Sequence, residues 1–215
     1  MDTVETVQAA EPEFDALFRR VCAAGTDDKW WFGRAYDFVG GLALLQNPWE
    51  LAALCLLLRR HEPRDTYLEI GSAGGGTCRF LHQEVGFGRV IAMDDGKHPR
   101  AAEQEENFAA IGQVERFTGN SHSWRARRWL RRRVPGPELD IAFVDGDHSR
   151  RGVQQDVELV LPHCRPGALL ILHDIVEVEG VRDEWRDLVS RGVVEPVAEL
   201  AGVERPMGIG VGRVG

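Results

Sequence analysis

Two apolar runs in this sequence end in residue types that hold cations and move protons. In IAFVDGDHSRRG, residues 141–152, the acids Asp145 and Asp147 and the imidazole of His148 follow the oily stretch directly; His173 and Asp174 close a second run, ALLILHDI. An imidazole beside carboxylates can serve as a general base. The mixed set also suits magnesium, manganese or iron, and softer ligands are missing. Either chemistry requires the two run ends to meet in space, so the elements that carry them decide the matter.

From Pro48 onward, helical and strand patterns alternate. WELAALCLLLRRHEPR reads as a helix stopped by Pro63, and then TYLEIG, RVIAMD, VERFTG, LDIAFVD and ALLILHD read as five short apolar strands separated by helical segments. That alternation predicts a parallel sheet covered on both faces. VVEPVAEL and MGIGVGRV follow with no helix between them, which predicts an antiparallel pair at the sheet edge. The expected fold is α/β, a Rossmann-like, doubly wound, seven-stranded sheet, mostly parallel with an antiparallel C-terminal strand pair.

In such a sheet, ligands bind beyond the carboxyl ends of the strands. Those ends carry Glu69 and Gly71, then Asp94 with Asp95, then Asn120 and Ser121, then Asp145 to His148, and finally His173 with Asp174. One rim therefore collects the polar residues, and neighbouring fourth and fifth strands can bring both clusters to one cleft. Before Pro48, DALFRRVCAAG has helical spacing. The aromatic stretch DDKWWFGRAYDFVGGLALLQNP lacks periodicity and is read as an irregular arm. The expected division is an N-terminal arm over residues 1–47, covering the active site, and a main domain over 48–215.

The net charge of -8 argues against general affinity for nucleic acid or anionic membrane and favours a small-molecule partner. The arginine-rich segment RARRWLRRR is read as a solvated helix face, with Trp124, Trp129 and Leu130 turned inward. Four separated cysteines form no CxxC pair, and no run reaches the length of a membrane span. A soluble, cytoplasmic protein is expected.

LEIGSAGGGTCRFL is a strand, a glycine turn and a helix start, where Gly71, Ser72, Gly74 and Gly75 permit a tight turn and close approach to a ligand. The spacing is not that of a dinucleotide site. Glu69 would repel pyrophosphate but welcome an amino group, and Asp94 is placed to accept hydrogen bonds from two ribose hydroxyls. With these residues the sequence resembles the class I S-adenosylmethionine-dependent methyltransferases over roughly residues 45–215. LEIGSAGGG is similar to their first motif, with Ala73 in place of the middle glycine, and VIAMDD to their second.

FVDGDHSRRGVQQDVELVLPHCRPGALLILHDI further resembles the small O-methyltransferases of antibiotic and sugar modification, including cephalosporin hydroxylase-like proteins. The resemblance implies S-adenosylmethionine held by Glu69, the glycine turn, Asp94, Asn120, Ser121 and Asp145. It implies a divalent cation, magnesium by preference, on Asp145 and Asp174. His173 stands where those relatives carry Glu or Asp, either as a further ligand or to orient Asp174, and His148 falls where their catalytic base sits. The implied reaction methylates a hydroxyl of a small secondary metabolite or sugar, in a chain expected to form homo-oligomers. Two rivals are a non-haem iron oxygenase using His148, His173 and an Asp, and a cofactor-binding scaffold without turnover.

Overall fold

The computed structural model describes residues 1–26, 39–202 and 204–215. Its centre is one seven-stranded sheet in the order β3-β2-β1-β4-β5-β7-β6. The strands are β1 (Thr66–Ile70), β2 (Arg89–Asp94), β3 (Val114–Thr118), β4 (Leu139–Val144), β5 (Cys164–His173), β6 (Val194–Leu200) and β7 (Ile209–Val214). The first five run parallel, and β7 lies antiparallel between β5 and β6. This is the expected architecture.

Two-residue periodicity decides which side chains serve which face. Tyr67, Ala92, Ile141 and Phe143 pack against α1 (Val4–Ala10), α2 (Phe14–Ala24), α3 (Pro48–Arg60) and α4 (Gly76–Val85), a layer that also takes in Phe108 of α5 (Gln104–Ile111). Leu68, Ile70, Ile91, Met93, Ala142 and Val144 point the other way. They meet Leu130 of α6 (Trp124–Arg133), Val157 of α7 (Arg150–Val160) and Trp185 of α8 (Glu179–Ser190). Every residue of β1 and β4 is buried, as helices on both faces require. Each large apolar side chain so buried is worth about 1.5–3 kcal/mol.

The chain starts the parallel sheet at β1, winds outward through β2 and β3, then returns to place β4 on the other side of β1. The two halves diverge at that point, and a crevice opens beyond the strand ends. Helix starts follow local chemistry. Asn47 caps α3, with Pro48 in its first turn; Ser123 and Ser149 cap α6 and α7.

Two features differ from expectation. Residues 4–10 form a helix that periodicity did not reveal, because its capping box pairs Thr3 with Thr6 rather than with Glu or Gln. Asp2 also bridges to Ala198 of β6. Trp124 does not turn inward: it is 66% exposed, while Ala126 and Leu130, four residues apart on one stripe, fill the core side of α6. The aromatic residues Trp30, Trp31, Phe32, Tyr36 and Phe38 lie outside the described residues. Among the described residues no helix is long and apolar enough to cross a membrane.

Candidate active site

A cavity of about 640 Å³ opens beyond the strand ends. Its wall takes Gly71 and Ala73 from the turn after β1, Asp94 from β2, Asn120, Ser121 and His122 from beyond β3, and Asp145 to His148 from beyond β4. His173, Asp174, Leu45 and Met207 complete it. The two clusters singled out in the sequence therefore face one space.

At the β4–β5 side, His148 Nε2 lies 3.1 Å from Asp174 Oδ2 and 3.6 Å from Asp145 Oδ1. Ligand-capable atoms of Asp145, His148 and Asp174 all fall within 4.8 Å of one another. His173 sits beneath them, 2% exposed. Its Nδ1 is 3.1 Å from Asp145 Oδ1 and 3.3 Å from Asp174 Oδ1. It thus hydrogen-bonds Asp145 and lies beside Asp174, outside the converging trio. The converging trio carries one imidazole, whereas an iron oxygenase site of the kind considered above would need His148 and His173 together.

Charge explains the protonation states. Burial alone would raise the Asp145 carboxyl, but the imidazoles of His173 and His148 outweigh it and hold the group at about 2. Burial would lower His173, yet Asp145, Asp174 and Glu50 carry it up to about 9. The Asp174 carboxyl is raised, chiefly because it is buried. The hydrogen bond to Asp145 lifts His148 above its ordinary value against partial burial.

At the β1–β2 side the turn is held by backbone. Gly71 has φ 87°, and a Cβ there would stand 1.9 Å from the Asp145 carbonyl oxygen, so only glycine lets the β1 and β4 tips approach so closely. Asp94 accepts from Ala73 N–H at 2.8 Å through one oxygen and from Gly96 N–H at 2.7 Å through the other. Ala73, in the middle position of the turn, has φ 45°. Asn107 Nδ2 donates to the Gly74 carbonyl at 2.8 Å from α5 behind.

A family model described as a methyltransferase domain matches residues 68–175, half of the chain. The chain belongs to this methyltransferase family. Solved structures share its fold. One is the O-methyltransferase from Bacillus cereus in complex with SAH, at 18% identity, covering 99% of this chain and 90% of that one, with a TM-score of 0.59. Another is the O-methyltransferase TomG from Streptomyces achromogenes, involved in tomaymycin synthesis and complexed with SAM, at 19% identity, 95% and 90% coverage and a TM-score of 0.58. SAH-bound methyltransferase PaMTH1 from Podospora anserina gives 13%, 79% and 80%, and 0.60. A search of curated protein sequences returned no match.

The methyltransferase site does not draw every sequence candidate to its surface. Gly71, Asp94, Asn120, Ser121, Asp145, His148, His173 and Asp174 line the cavity, whereas Glu69, Ser72, Gly74 and Gly75 lie outside its wall. Glu69 is 1% exposed and accepts from Tyr67 O–H at 2.5 Å. Burial pushes its carboxyl up to about 8. Asp147, exposed, accepts from Ser149 N–H at 2.8 Å and so shapes the turn that Ser149 then caps.

Other residues of this methyltransferase escaped sequence reading. Asp156, fully buried on α7, lies 3.1 Å from His122 Nε2 and anchors the rim beyond β3. Gln46 donates to Asp145 Oδ2 at 3.1 Å. Glu50 accepts from Gly202 N–H at 2.7 Å and Gly208 N–H at 3.0 Å, which fixes the loop that carries Met207. Each is a buried polar residue among apolar neighbours. The sequence alone did not mark them, because their burial is set by elements distant in the chain.

Proposed function

We propose that this methyltransferase depends on S-adenosylmethionine and transfers its sulfonium methyl to a hydroxyl of a small secondary metabolite or sugar, with a divalent cation assisting. One observation carries the reading. The trio of Asp145, His148 and Asp174 opens onto the same cavity as the glycine turn and Asp94. The SAH bound in the B. cereus structure and the SAM bound in the S. achromogenes structure support it.

Asp94 would face the ribose hydroxyls, Asn120 and Ser121 the purine end, and Gly71 the donor's amino-acid portion, with Glu69 acting from behind the turn. For the cation, the Asp145 and Asp174 carboxylates supply hard oxygen donors within 4.8 Å of one another, His148 stands beside them as the base, and Asp174 Oδ1 is buried without a hydrogen bond among the described residues. Magnesium or manganese fits this set, with Asp145 and Asp174 as holders. When bound, such an ion lowers the pKa of the acceptor hydroxyl.

The remaining work falls to the chain. His148, with its side chain 50% exposed, takes the hydroxyl proton at Nε2. The oxygen lone pair forms the new bond to the methyl carbon, and the electrons of the breaking carbon–sulfur bond pass to sulfur, leaving a neutral thioether. The cavity walls supply alignment, which is most of what an in-line displacement needs. Among the described residues of the N-terminal segment, Leu45 reaches the cavity wall on the acceptor side.

Calorimetry with S-adenosylmethionine, with magnesium and then with chelator, tests the proposal. Donor binding together with cation-dependent transfer to a hydroxyl is the expected result. Donor binding with no transfer to any acceptor would leave a scaffold, and turnover that needs iron and oxygen but no donor would leave an oxygenase.

A further inference from the structure

Gln46 is a polar residue 1% exposed, one position before Asn47, the cap of α3, and two after the buried pair Ala43 and Leu44. Its Nε2 donates to Asp145 Oδ2 at 3.1 Å, and His173 Nδ1 donates to Asp145 Oδ1 at the same distance, 3.1 Å. The Asp145 carboxylate is therefore gripped at both oxygens, from two different elements. The other end of the amide, Oε1, is buried and has no hydrogen-bond partner among the described residues. Leaving a buried carbonyl unpaired is costly. Flipping the amide would be worse, because it would aim that oxygen at a carboxylate with no proton to give. The amide therefore keeps its N–H on Asp145 although its oxygen goes unpaired.

The mounting of this amide is rigid. Asn47 Oδ1 accepts from Trp49 N–H at 2.9 Å while its Nδ2 donates to the Glu204 carbonyl at 2.8 Å. One turn further on, Glu50 holds Gly202 and Gly208. Asn47 and Glu50 thus fix the backbone at the start of α3 from both sides, and with it the point from which the buried Gln46 side chain reaches Asp145.

We propose that Gln46 is a positioning residue whose amide sets the direction in which Asp145 faces the cavity, and hence the geometry of the Asp145, His148 and Asp174 trio. The solution half of its test rests on the cation reading given above; the crystallographic half does not.

Manganese(II) titrated into the full chain and followed by electron paramagnetic resonance compares wild type, Gln46→Met and Asp145→Asn. Methionine keeps the length and removes the donor. Gln46→Met is expected to weaken manganese binding about 10-fold, as loss of an outer hydrogen bond to a ligand does, and to leave the Kd for S-adenosylmethionine within about twofold. Crystal structures should show the Asp145 carboxylate of the variant turned from its wild-type direction, with Oδ2 displaced from its place beside residue 46. Gln46→Leu, which also lacks the donor, should turn it likewise and serves if the methionine variant does not fold.

An Asp145 carboxylate that stays in place in both variants overturns the proposal, as does unchanged manganese affinity in Gln46→Met when Asp145→Asn has lost it. If wild type binds no manganese, or Asp145→Asn binds it equally well, the cation reading fails instead, and the crystallographic comparison alone decides for or against Gln46.

Discussion

The imidazole of His148, leaving the tip of β4, lies 3.1 Å from Asp174 Oδ2 at the tip of β5. One side chain thus joins the two clusters that the sequence separates, and it is also the more open of the two imidazoles there. His148→Ala is expected to slow methyl transfer by about 10²–10⁴, the usual worth of a positioned base. The Kd for S-adenosylmethionine should stay within about twofold in calorimetry, because His148 lies at the acceptor side. Equal losses of rate and donor affinity would assign it a structural role instead.

Asp94 spends one oxygen on Ala73 N–H and the other on Gly96 N–H, so its charge both shapes the glycine turn and faces the cavity. Asp94→Asn keeps the size but replaces one acceptor oxygen with an amide that cannot accept. Donor affinity should fall about 10-fold, while kcat at saturating donor stays near wild type. A kcat that drops with unchanged donor Kd would move Asp94 out of the donor site.

Much of this was legible beforehand because strand and helix periods differ so clearly. Leu139–Val144 and the run ending at His173 could only be strands of a covered sheet, and their ends then had to share a rim. What was hidden depends on a single residue's direction. His173 and Asp174 are adjacent; the alternation of β5 turns the imidazole to the Leu169 and Ile171 face beneath the site, and the backbone leaves the strand at Asp174 with φ 66°. Trp124 was misplaced because an aromatic at the first turn of a helix has no preceding turn to pack on. Gln46 and Glu50 look like surface residues until the β4 tip and the Met207 loop arrive to meet them.

Gly71→Ala separates backbone strain from collision. The added Cβ would meet the Asp145 carbonyl oxygen at 1.9 Å in a residue already at φ 87°. Strain alone in that region costs about 1–3 kcal/mol, and the collision adds to it, so a loss of about 3 kcal/mol or more is expected in urea unfolding. Gly112→Ala, at φ 103° with nothing within 4 Å, is the comparison and should lose only the strain. Equal losses would show that the β1 and β4 tips can part freely.

Glu50 offers a pH test of the loop that carries Met207. Burial raises its carboxyl from 4.5 to about 7, against the lowering effects of the Gly202 and Gly208 N–H groups and the charge of His173. The folded protein therefore holds this proton where the unfolded chain has released it. The resulting stability is fully present below about 4.5, is lost as pH rises toward 7 and is absent above it. The total is about 3 kcal/mol at about 1.4 kcal/mol per pKa unit. Glu50→Gln mimics the protonated form, so Tm measured from pH 4.5 to 8 should favour the variant increasingly as pH rises. Parallel curves for the two proteins would mean that Glu50 is ionised throughout, with Gly202 and Gly208 paying its full cost of burial.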